Sequence, residues 1–318
     1  MGCTGNTEQQ TIRPTFFQKW WIYQRERFPI FAHGPLILAF SSSAVCFSTL
    51  LQGQTSLPHL TVFAVAFFSS FISFLHLRLA DEFKDFEEDS RFRPYRPVPR
   101  GLITLRELAV LWIITGALQL VMALWLNVHL VWPLLVTWIY LTLMSREFFV
   151  RDWLKAHPFT YMWTHMFIMP LIDFYATACD WLPKQNEPPH GILWFVAVSF
   201  FSGFIIEIGR KIRSPKDEEP GVPTYSALWG SATAVRGWWI VIVLTAINAI
   251  CAANQIGFLI PMTMLVTVLA CAAVVLGCAF LKNPTPGQGK RFELFSGIWT
   301  LALYLTLGII PLLLRCLS

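Results

Sequence analysis

The segment LHLRLADEFKDFEEDSRFRPYRPVPRG, Leu75 to Gly101, places a dense run of charge directly after an apolar stretch. Six carboxylates fall within the nine residues from Asp81 to Asp89, and a tail rich in arginine and proline follows. The whole chain is 55% hydrophobic and only 14% charged, whereas an average soluble domain is about 25% charged. The segment therefore predicts concentrated negative charge at the edge of a membrane-embedded bundle.

Two long uncharged stretches support the membrane assignment. Residues 108–144 and 237–281 contain no Asp, Glu, Lys or Arg. Since a spanning helix needs about 20 apolar residues, each stretch can hold two short spans joined by a tight turn. We predict an all-α, polytopic membrane protein with nine transmembrane helices. The expected spans are 34–52, 58–80, 105–126, 128–148, 158–177, 190–209, 235–253, 257–281 and 293–314.

The basic residues are distributed asymmetrically between the two sides of this bundle. Of the 24 Lys and Arg residues, only Lys184 and Arg315 fall outside the side that holds the amino terminus. The positive-inside rule makes that side cytoplasmic and puts the carboxyl terminus on the opposite side. The net charge of +5 follows from this orientation and does not argue for nucleic-acid binding. We expect a disordered tail at 1–14, one transmembrane domain at 15–318, and an interfacial helix at 16–29.

The first acidic cluster has helical spacing. Asp81, Asp85 and Asp89 are spaced i, i+4, i+8, and a second series that begins at Glu82 is spaced i, i+3, i+7. Each series lies along one helix face, where like charges repel unless a cation is present. Mg²⁺ binds through a few carboxylates and substrate phosphates, and arginines suit bidentate phosphate contacts. The cluster with its arginine tail predicts a diphosphate held through Mg²⁺; the alternative is a solvated, charged loop.

A second polar cluster, FIIEIGRKIRSPKDEEPGVPTYSALWG, closes a later apolar span on the same predicted side. Glu207 directly follows an apolar run, and an ionisable group at membrane depth indicates function. Glu207 and Lys211 are also four residues apart, which is equally typical of a simple surface pair. Two polar clusters on one side predict a pseudo-repeated bundle with one shared polar mouth.

The fifth apolar segment contains its own polar residues. His165 and Asp173 are eight residues apart and therefore near one face of a helix. A carboxylate in a membrane is costly unless it faces a cavity or a partner. Asp173 is thus a candidate acceptor-binding or proton-accepting group, with a packed polar pair as the alternative. The candidate cavity aromatics, each equally typical of a membrane belt, are Trp163, Phe167, Phe174, Tyr175, Trp238 and Trp239.

The two clusters together resemble the UbiA superfamily of intramembrane prenyltransferases, and the resemblance covers nearly the whole chain. Members have nine helices and two Asp-rich motifs, after helices 2 and 6, that bind Mg²⁺ and a prenyl diphosphate. The positions that match the family's first motif, N-D-x-x-D-x-x-x-D, are Asp81, Glu82, Asp85 and Asp89. The positions that match its RPxPxG-like segment are Arg96, Pro97, Pro99 and Gly101.

The chain departs from the family pattern in both motifs. The usual Asn-Asp pair is replaced by Asp81 and Glu82. The second motif usually reads D-x-x-x-D before a glycine; alignment on Gly221 leaves one carboxylate, at Asp217 or Glu218, and none four residues earlier. Glu207, at least one turn upstream, is the candidate replacement. These changes indicate a divergent branch of the family.

The resemblance and the residue pattern together give three sets of candidate residues. The expected Mg²⁺ ligands are Asp81, Glu82, Asp85, Asp89, Glu207, Asp217 and Glu218. The expected diphosphate-binding residues are Arg93, Arg96, Arg100, Arg151, Arg210 and Lys211. The expected catalytic residues are Asp85, Asp89, Lys211 and Asp173.

Three functions are compatible with these features. The family's usual activity favours a Mg²⁺-dependent transferase that joins an isoprenyl diphosphate to a lipophilic or aromatic acceptor in contact with membrane lipid. The second is a terpene cyclase of the same superfamily, which converts a substrate such as farnesyl or geranylgeranyl diphosphate without an acceptor. The third is a non-enzymatic membrane carrier or scaffold, which the two acidic motifs at one mouth disfavour.

Overall fold

A computed structural model describes residues 15–219 and 224–317, and every regular element in these ranges is helical. The tail predicted at 1–14 lies outside the described residues. The longer helices are α1 (Phe16–Arg27), α2 (Ile30–Leu51), α3 (Leu60–Lys84), α4 (Phe86–Phe92), α5 (Leu105–Leu126), α6 (Val131–Ser145), α7 (Arg151–Ala156), α8 (Pro158–Met166), α9 (Ile168–Trp181), α10 (Ile192–Arg210), α11 (Tyr225–Trp229), α12 (Ser231–Gln255), α13 (Leu259–Lys282), α14 (Gly289–Leu307) and α15 (Ile309–Leu317). Single 3₁₀ turns occupy Val128–Leu130 and Glu147–Phe149.

Eight helical segments of the described chain are long and apolar enough to cross a membrane, which confirms the all-α, polytopic class. The predicted fifth span is formed by two consecutive helices, α8 and α9, that meet at Phe167. Pro170 lies in the first turn of α9 and has no amide hydrogen to donate to the carbonyl of Met166, so the helix is interrupted there. With this broken segment counted, residues 15–219 and 224–317 contain nine candidate crossings, the number that the sequence predicts.

The centre of the bundle is built by helices that each contact several others. α2 packs against α3, α9 and α14, and α10 packs against α9, α12 and α14. The side chains of Phe47, Phe195, Trp238 and Trp299 are fully buried between these helices. Gly308 permits close approach of two helices, because a Cβ there would lie 2.3 Å from the backbone oxygen of Ser43.

The segment predicted as an interfacial helix, 16–29, forms α1, which docks against the ends of α3 and α5 through ion pairs. Lys19 pairs with Glu107 at the start of α5, and Arg27 pairs with Glu82 in the last turn of α3. The Arg27 and Glu82 side chains are only 10% and 1% exposed. A buried ion pair thus joins the amino-terminal helix to the first acidic motif.

Replacement of Glu82 by Met should strand the buried guanidinium of Arg27 and lower the free energy of unfolding by about 3–5 kcal/mol. The double variant Arg27→Met with Glu82→Met should recover most of this loss, because apolar replacement of both partners of a buried pair is often neutral. The denaturation midpoint of the protein in detergent measures both effects. A double variant as unstable as the single one would contradict the pairing.

Candidate active site

The first acidic motif continues the helical register of α3 into α4. The amides of Asp85, Asp89 and Arg93 each donate to the carbonyl four residues earlier, at 2.9, 2.8 and 2.8 Å. Asp81, Asp85 and Asp89 therefore lie along one side of the chain, as their spacing predicts. Their surroundings nevertheless differ strongly.

Two carboxylates of this motif are buried and occupied by arginines. Glu82 pairs with Arg27, as described above. Asp89 accepts from Arg93 Nη1 at 3.0 Å and from Arg96 Nη1 at 2.5 Å. Each of these carboxylates already has a guanidinium counter-ion, which reduces the net negative charge that it offers to a metal.

Asp85 lacks such a counter-ion. Among the residues that the structure describes, its half-buried carboxylate makes no hydrogen bond and no ion pair. Burial raises the pKa of Asp85 above its ordinary value, and the negative charges of Asp81 and Asp89 raise it further, against the lowering effect of Lys84. A bound cation would remove both penalties, so Asp85 fits the role of a Mg²⁺ ligand.

The second polar cluster lies beside the first. Glu207, in the last turn of α10, pairs with Arg210 at 2.5 Å and with Lys211 at 2.8 Å. Arg210 is close enough to Asp81 for their charges to interact. The Lys211 ammonium lies 5.1 Å from the ring centre of Tyr225. The ends of α3 and α10 thus form one polar region, which we call the mouth.

The remaining acidic residues of the second cluster organise the loop after α10. Asp217 accepts hydrogen bonds from the Gly287 amide and the Ser214 hydroxyl, both at 2.8 Å, and these bonds lower the pKa of Asp217. Glu218 accepts from the hydroxyl of Thr224, which caps α11. The position aligned with the family glycine, Gly221, lies outside the described residues.

The seven predicted metal ligands are not gathered into one cluster. Within 15–219 and 224–317, no group of three His, Cys, Asp or Glu side chains is arranged to hold a metal ion. The physical reason is that most of these carboxylates are already held by arginine, lysine, hydroxyl or amide donors. The Asp85 carboxylate has no partner among the described residues. The Asp81 side chain is 41% exposed, and its nearest cations are Arg78 at 3.4 Å and Lys84 at 3.8 Å.

A group at the mouth that the sequence did not single out centres on Lys84. Its ammonium donates to the Tyr161 hydroxyl at 3.0 Å and lies 3.6 Å from Glu147. The Tyr161 hydroxyl donates to Glu147 at 3.1 Å, and its ring stacks on His165 at 4.0 Å. The position of Lys84 between two motif aspartates was the available signal, but Glu147 and Tyr161 lie more than sixty residues further along the chain.

Several predicted site residues have partners away from the mouth. Arg100 pairs with Glu26 of α1 at 3.0 Å, and Arg151 lies 3.5 Å from Glu88. Asp173 is buried in the bundle and accepts a hydrogen bond from the Tyr304 hydroxyl. The partner of Asp173 is thus Tyr304 of α14, whereas His165 stacks on Tyr161.

The predicted cavity aromatics are also distributed over different surroundings. Tyr175 and Trp238 are buried in the core, and the Trp238 indole donates to Ser296 at 3.2 Å. Trp163 and Phe167 are partly exposed and pack around Phe200. The core and this surface cluster account for these rings by packing alone.

Comparisons with known proteins place this architecture in a family. The UbiA prenyltransferase family matches residues 41–301. A structure of a digeranylgeranylglyceryl phosphate synthase is 15% identical, covers 94% of this chain and 99% of its own, and superposes with a TM-score of 0.63. The apo structure of a UbiA homologue from Aeropyrum pernix K1 is 15% identical, covers 87% of this chain and 95% of its own, and gives a TM-score of 0.65. The comparison with curated proteins returned no match.

At 15% identity, the two solved structures show a shared fold and leave the substrate open. The family match extends over most of the chain and includes both polar clusters. This multi-pass integral membrane protein therefore belongs to the UbiA prenyltransferase family.

Proposed function

We propose that the protein is a Mg²⁺-dependent intramembrane enzyme that ionises an isoprenyl diphosphate at the mouth and transfers the prenyl group to a lipophilic or aromatic acceptor. The observation that supports this most strongly is the unpaired, half-buried carboxylate of Asp85 among neighbouring acids. The cations Lys84 and Arg210 border the same region. A bound metal ion would neutralise the carboxylates, and a bound diphosphate would pair with Lys84 and Arg210.

Asp85 and Asp81 are the residues that would hold the metal, and Glu207 joins them if its two cations move to the substrate. Mg²⁺, when bound, would neutralise the negative charge that develops on the leaving diphosphate. Lys211 and Arg210 now share the Glu207 carboxylate and can donate to phosphate oxygens in its place. Binding of the diphosphate and of the cation is therefore mutually dependent.

Asp89 positions the arginines of the tail and does not have to bind metal directly. Its pairs with Arg93 and Arg96 hold both guanidinium groups at the end of α4. Arg96 is 23% exposed and keeps free donor positions for phosphate. The positive charges of Arg93 and Arg96 thus face the diphosphate from the side opposite to the spanning helices.

The proposed prenyl transfer consists of three steps. The bond between the allylic carbon and the diphosphate oxygen breaks, and the oxygen retains the electron pair. The cation then forms a bond to the acceptor, and the acceptor's proton passes to a base. We propose Asp173 as that base or as an acceptor-binding group, with its carboxylate oriented by Tyr304. The apolar bundle excludes water from the cation.

The proposed orientation places the mouth on the cytoplasmic side of the membrane. The side that carries the mouth also carries 22 of the 24 Lys and Arg residues, which is the distribution that the positive-inside rule associates with the cytoplasm. A water-soluble Mg²⁺ ion and the diphosphate head can reach the mouth there, while the prenyl tail stays in the bilayer.

Replacement of Asp85 by Asn should lower Mg²⁺-dependent diphosphate release from geranylgeranyl diphosphate by on the order of 100-fold, because a charge that supports the transition state is lost. The matched control is Glu87→Gln, which removes an exposed carboxylate that has no partner among the described residues. This control should retain wild-type turnover. Full activity of Asp85→Asn, measured as released diphosphate, would remove Asp85 from the metal site.

Incubation of the purified protein with Mg²⁺ and geranyl, farnesyl or geranylgeranyl diphosphate tests the reaction class. With no acceptor present, we expect no cyclic product, and we expect diphosphate release only when lipids or aromatic acids are added. Extraction and mass spectrometry of hydrocarbons provide the measurement. A cyclic terpene formed without an acceptor would assign the cyclase reaction instead.

A further inference from the structure

A separate groove opens between α3, α5 and α6, at the end of the bundle that carries the acidic motifs. Its volume is about 690 Å³, which lies within the range of ligand sites. Phe83, Trp112 and Ile113 line its apolar part, and Lys84, Arg146 and Glu147 line its polar part. Lys84 and Glu147 belong to the group described at the mouth, whereas Asp85, Glu207 and Lys211 do not line the groove, so the groove borders the mouth and opens away from its acidic centre.

The polar part of the groove has unused positive charge. Arg146 is exposed and makes no ion pair or hydrogen bond through its guanidinium within the described chain. Arg151, at the rim, lies 3.5 Å from Glu88, and Lys155 is closer to the same oxygen at 2.5 Å. Guanidinium groups with free donors at a membrane edge suit a phosphate.

The groove also contains an acceptor that lacks a donor. Glu147 is 3% exposed, and its Oε2 atom has no hydrogen-bond partner among the described residues, whereas Oε1 accepts from Tyr161. A buried oxygen without a donor costs about 1–3 kcal/mol. The backbone of Glu147, Phe148 and Phe149 is held at φ of 51°, 51° and 62°, and such left-handed conformations persist where the surroundings impose them. Oε2 has almost no exposed surface, so a ligand hydroxyl in the groove would donate to it once the Glu147 side chain turned toward the groove.

The apolar part continues onto the outer surface of the spanning helices. Phe83, near the end of α3, is 40% exposed, and Ile113, in the third turn of α5, is 70% exposed. Trp112, in the third turn of α5, adds an aromatic ring to this surface. A hydrocarbon chain can run along this surface while a headgroup occupies the polar part.

We propose that this groove binds a phospholipid of the surrounding bilayer whose headgroup carries both an anionic phosphate and a hydroxyl. Arg146 and Arg151 receive the phosphate, Glu147 accepts from the hydroxyl, and Phe83 and Ile113 contact an acyl chain. This site goes beyond the proposed reaction, because it needs neither an isoprenyl diphosphate nor Mg²⁺. Through Lys84, which also borders the mouth, an occupied groove is adjacent to the metal-binding region.

Native mass spectrometry of the full-length protein in detergent tests the site with three lipids of identical acyl chains. Phosphatidylglycerol has the phosphate and the hydroxyls, phosphatidylethanol has the same charge without a hydroxyl, and phosphatidylcholine has no net charge. We expect phosphatidylglycerol to be retained about tenfold better than phosphatidylcholine, with phosphatidylethanol in between. Equal retention of the three lipids would overturn the proposal, and equal retention of the two anionic lipids would remove Glu147 from it.

The variant Arg146→Gln should remove most of the preference for phosphatidylglycerol. Its matched control is Arg106→Gln. Arg106 is exposed in the first turn of α5, has no partner in the described ranges and does not line the groove. An Arg146→Gln variant that binds like the wild type, or an Arg106→Gln variant with the same loss, would overturn the proposal.

Soluble sn-glycerol 3-phosphate distinguishes a lipid site from a site for free phosphate esters. It carries the phosphate and hydroxyl groups without acyl chains, so we expect no displacement of phosphatidylglycerol by millimolar amounts. Displacement would show that the groove takes a water-soluble ligand and would contradict the lipid assignment. Because lipid retention is measured without turnover, its outcome is independent of whether the proposed enzymatic reaction is correct.

Discussion

Carboxylates at the edge of a membrane must be neutralised, and the way in which each one is neutralised determines much of this structure. Glu82 binds Arg27 and thereby fixes α1 against α3. Asp89 orders the arginine-rich tail, and Glu207 holds the two cations at the end of α10. Buried ion pairs contribute little net stability compared with apolar packing. Their main effect here is positional, because each pair fixes one segment of the mouth.

This distribution of partners gives the divergent motif a physical meaning. The family pattern has Asp at the position of Glu82, and the additional methylene of Glu lets its carboxylate extend further from the helix. In this chain that carboxylate reaches Arg27 of the amino-terminal helix. We infer that Glu82 acts as a docking contact for α1, whereas the half-buried carboxylate of Asp85 has no ion pair among the described residues. Under the proposed function, metal binding would then rest on fewer residues than the motif suggests.

The sequence was sufficient to predict the helical class, the membrane spans and the shared side of Asp81, Asp85 and Asp89. These properties depend on composition and on local periodicity, which one chain displays directly. The break at Phe167 also had a local signal, since Pro170 interrupts the hydrogen-bond pattern of the fifth segment. Residue pattern is thus informative wherever the cause of a feature lies within one or two helical turns.

The partners of the charged residues could not be predicted in the same way. Arg27 and Glu82 are 55 residues apart, Lys84 and Tyr161 are 77 apart, and Asp173 and Tyr304 are 131 apart. Helix packing determines which side chains meet, and the spacing of residues along one helix does not reveal how the helices pack. For this reason the sequence offered seven carboxylates as candidate ligands, those of the second cluster less closely matched to the family motif, although most of them have partners in the folded chain.

The proposed division of roles, with Asp85 as a metal ligand and Glu82 as the partner of Arg27, is tested most directly by Mn²⁺ binding. Mn²⁺ serves as a paramagnetic substitute for Mg²⁺, in the presence of an unreactive prenyl diphosphate analogue. Electron paramagnetic resonance of the free ion gives the bound fraction for the wild type, for Asp85→Asn and for the double variant Arg27→Met with Glu82→Met. We expect Asp85→Asn to lose the analogue-dependent binding and the folded double variant to retain it. Retention in Asp85→Asn with loss in the folded double variant would show that Glu82, and not Asp85, is the metal ligand.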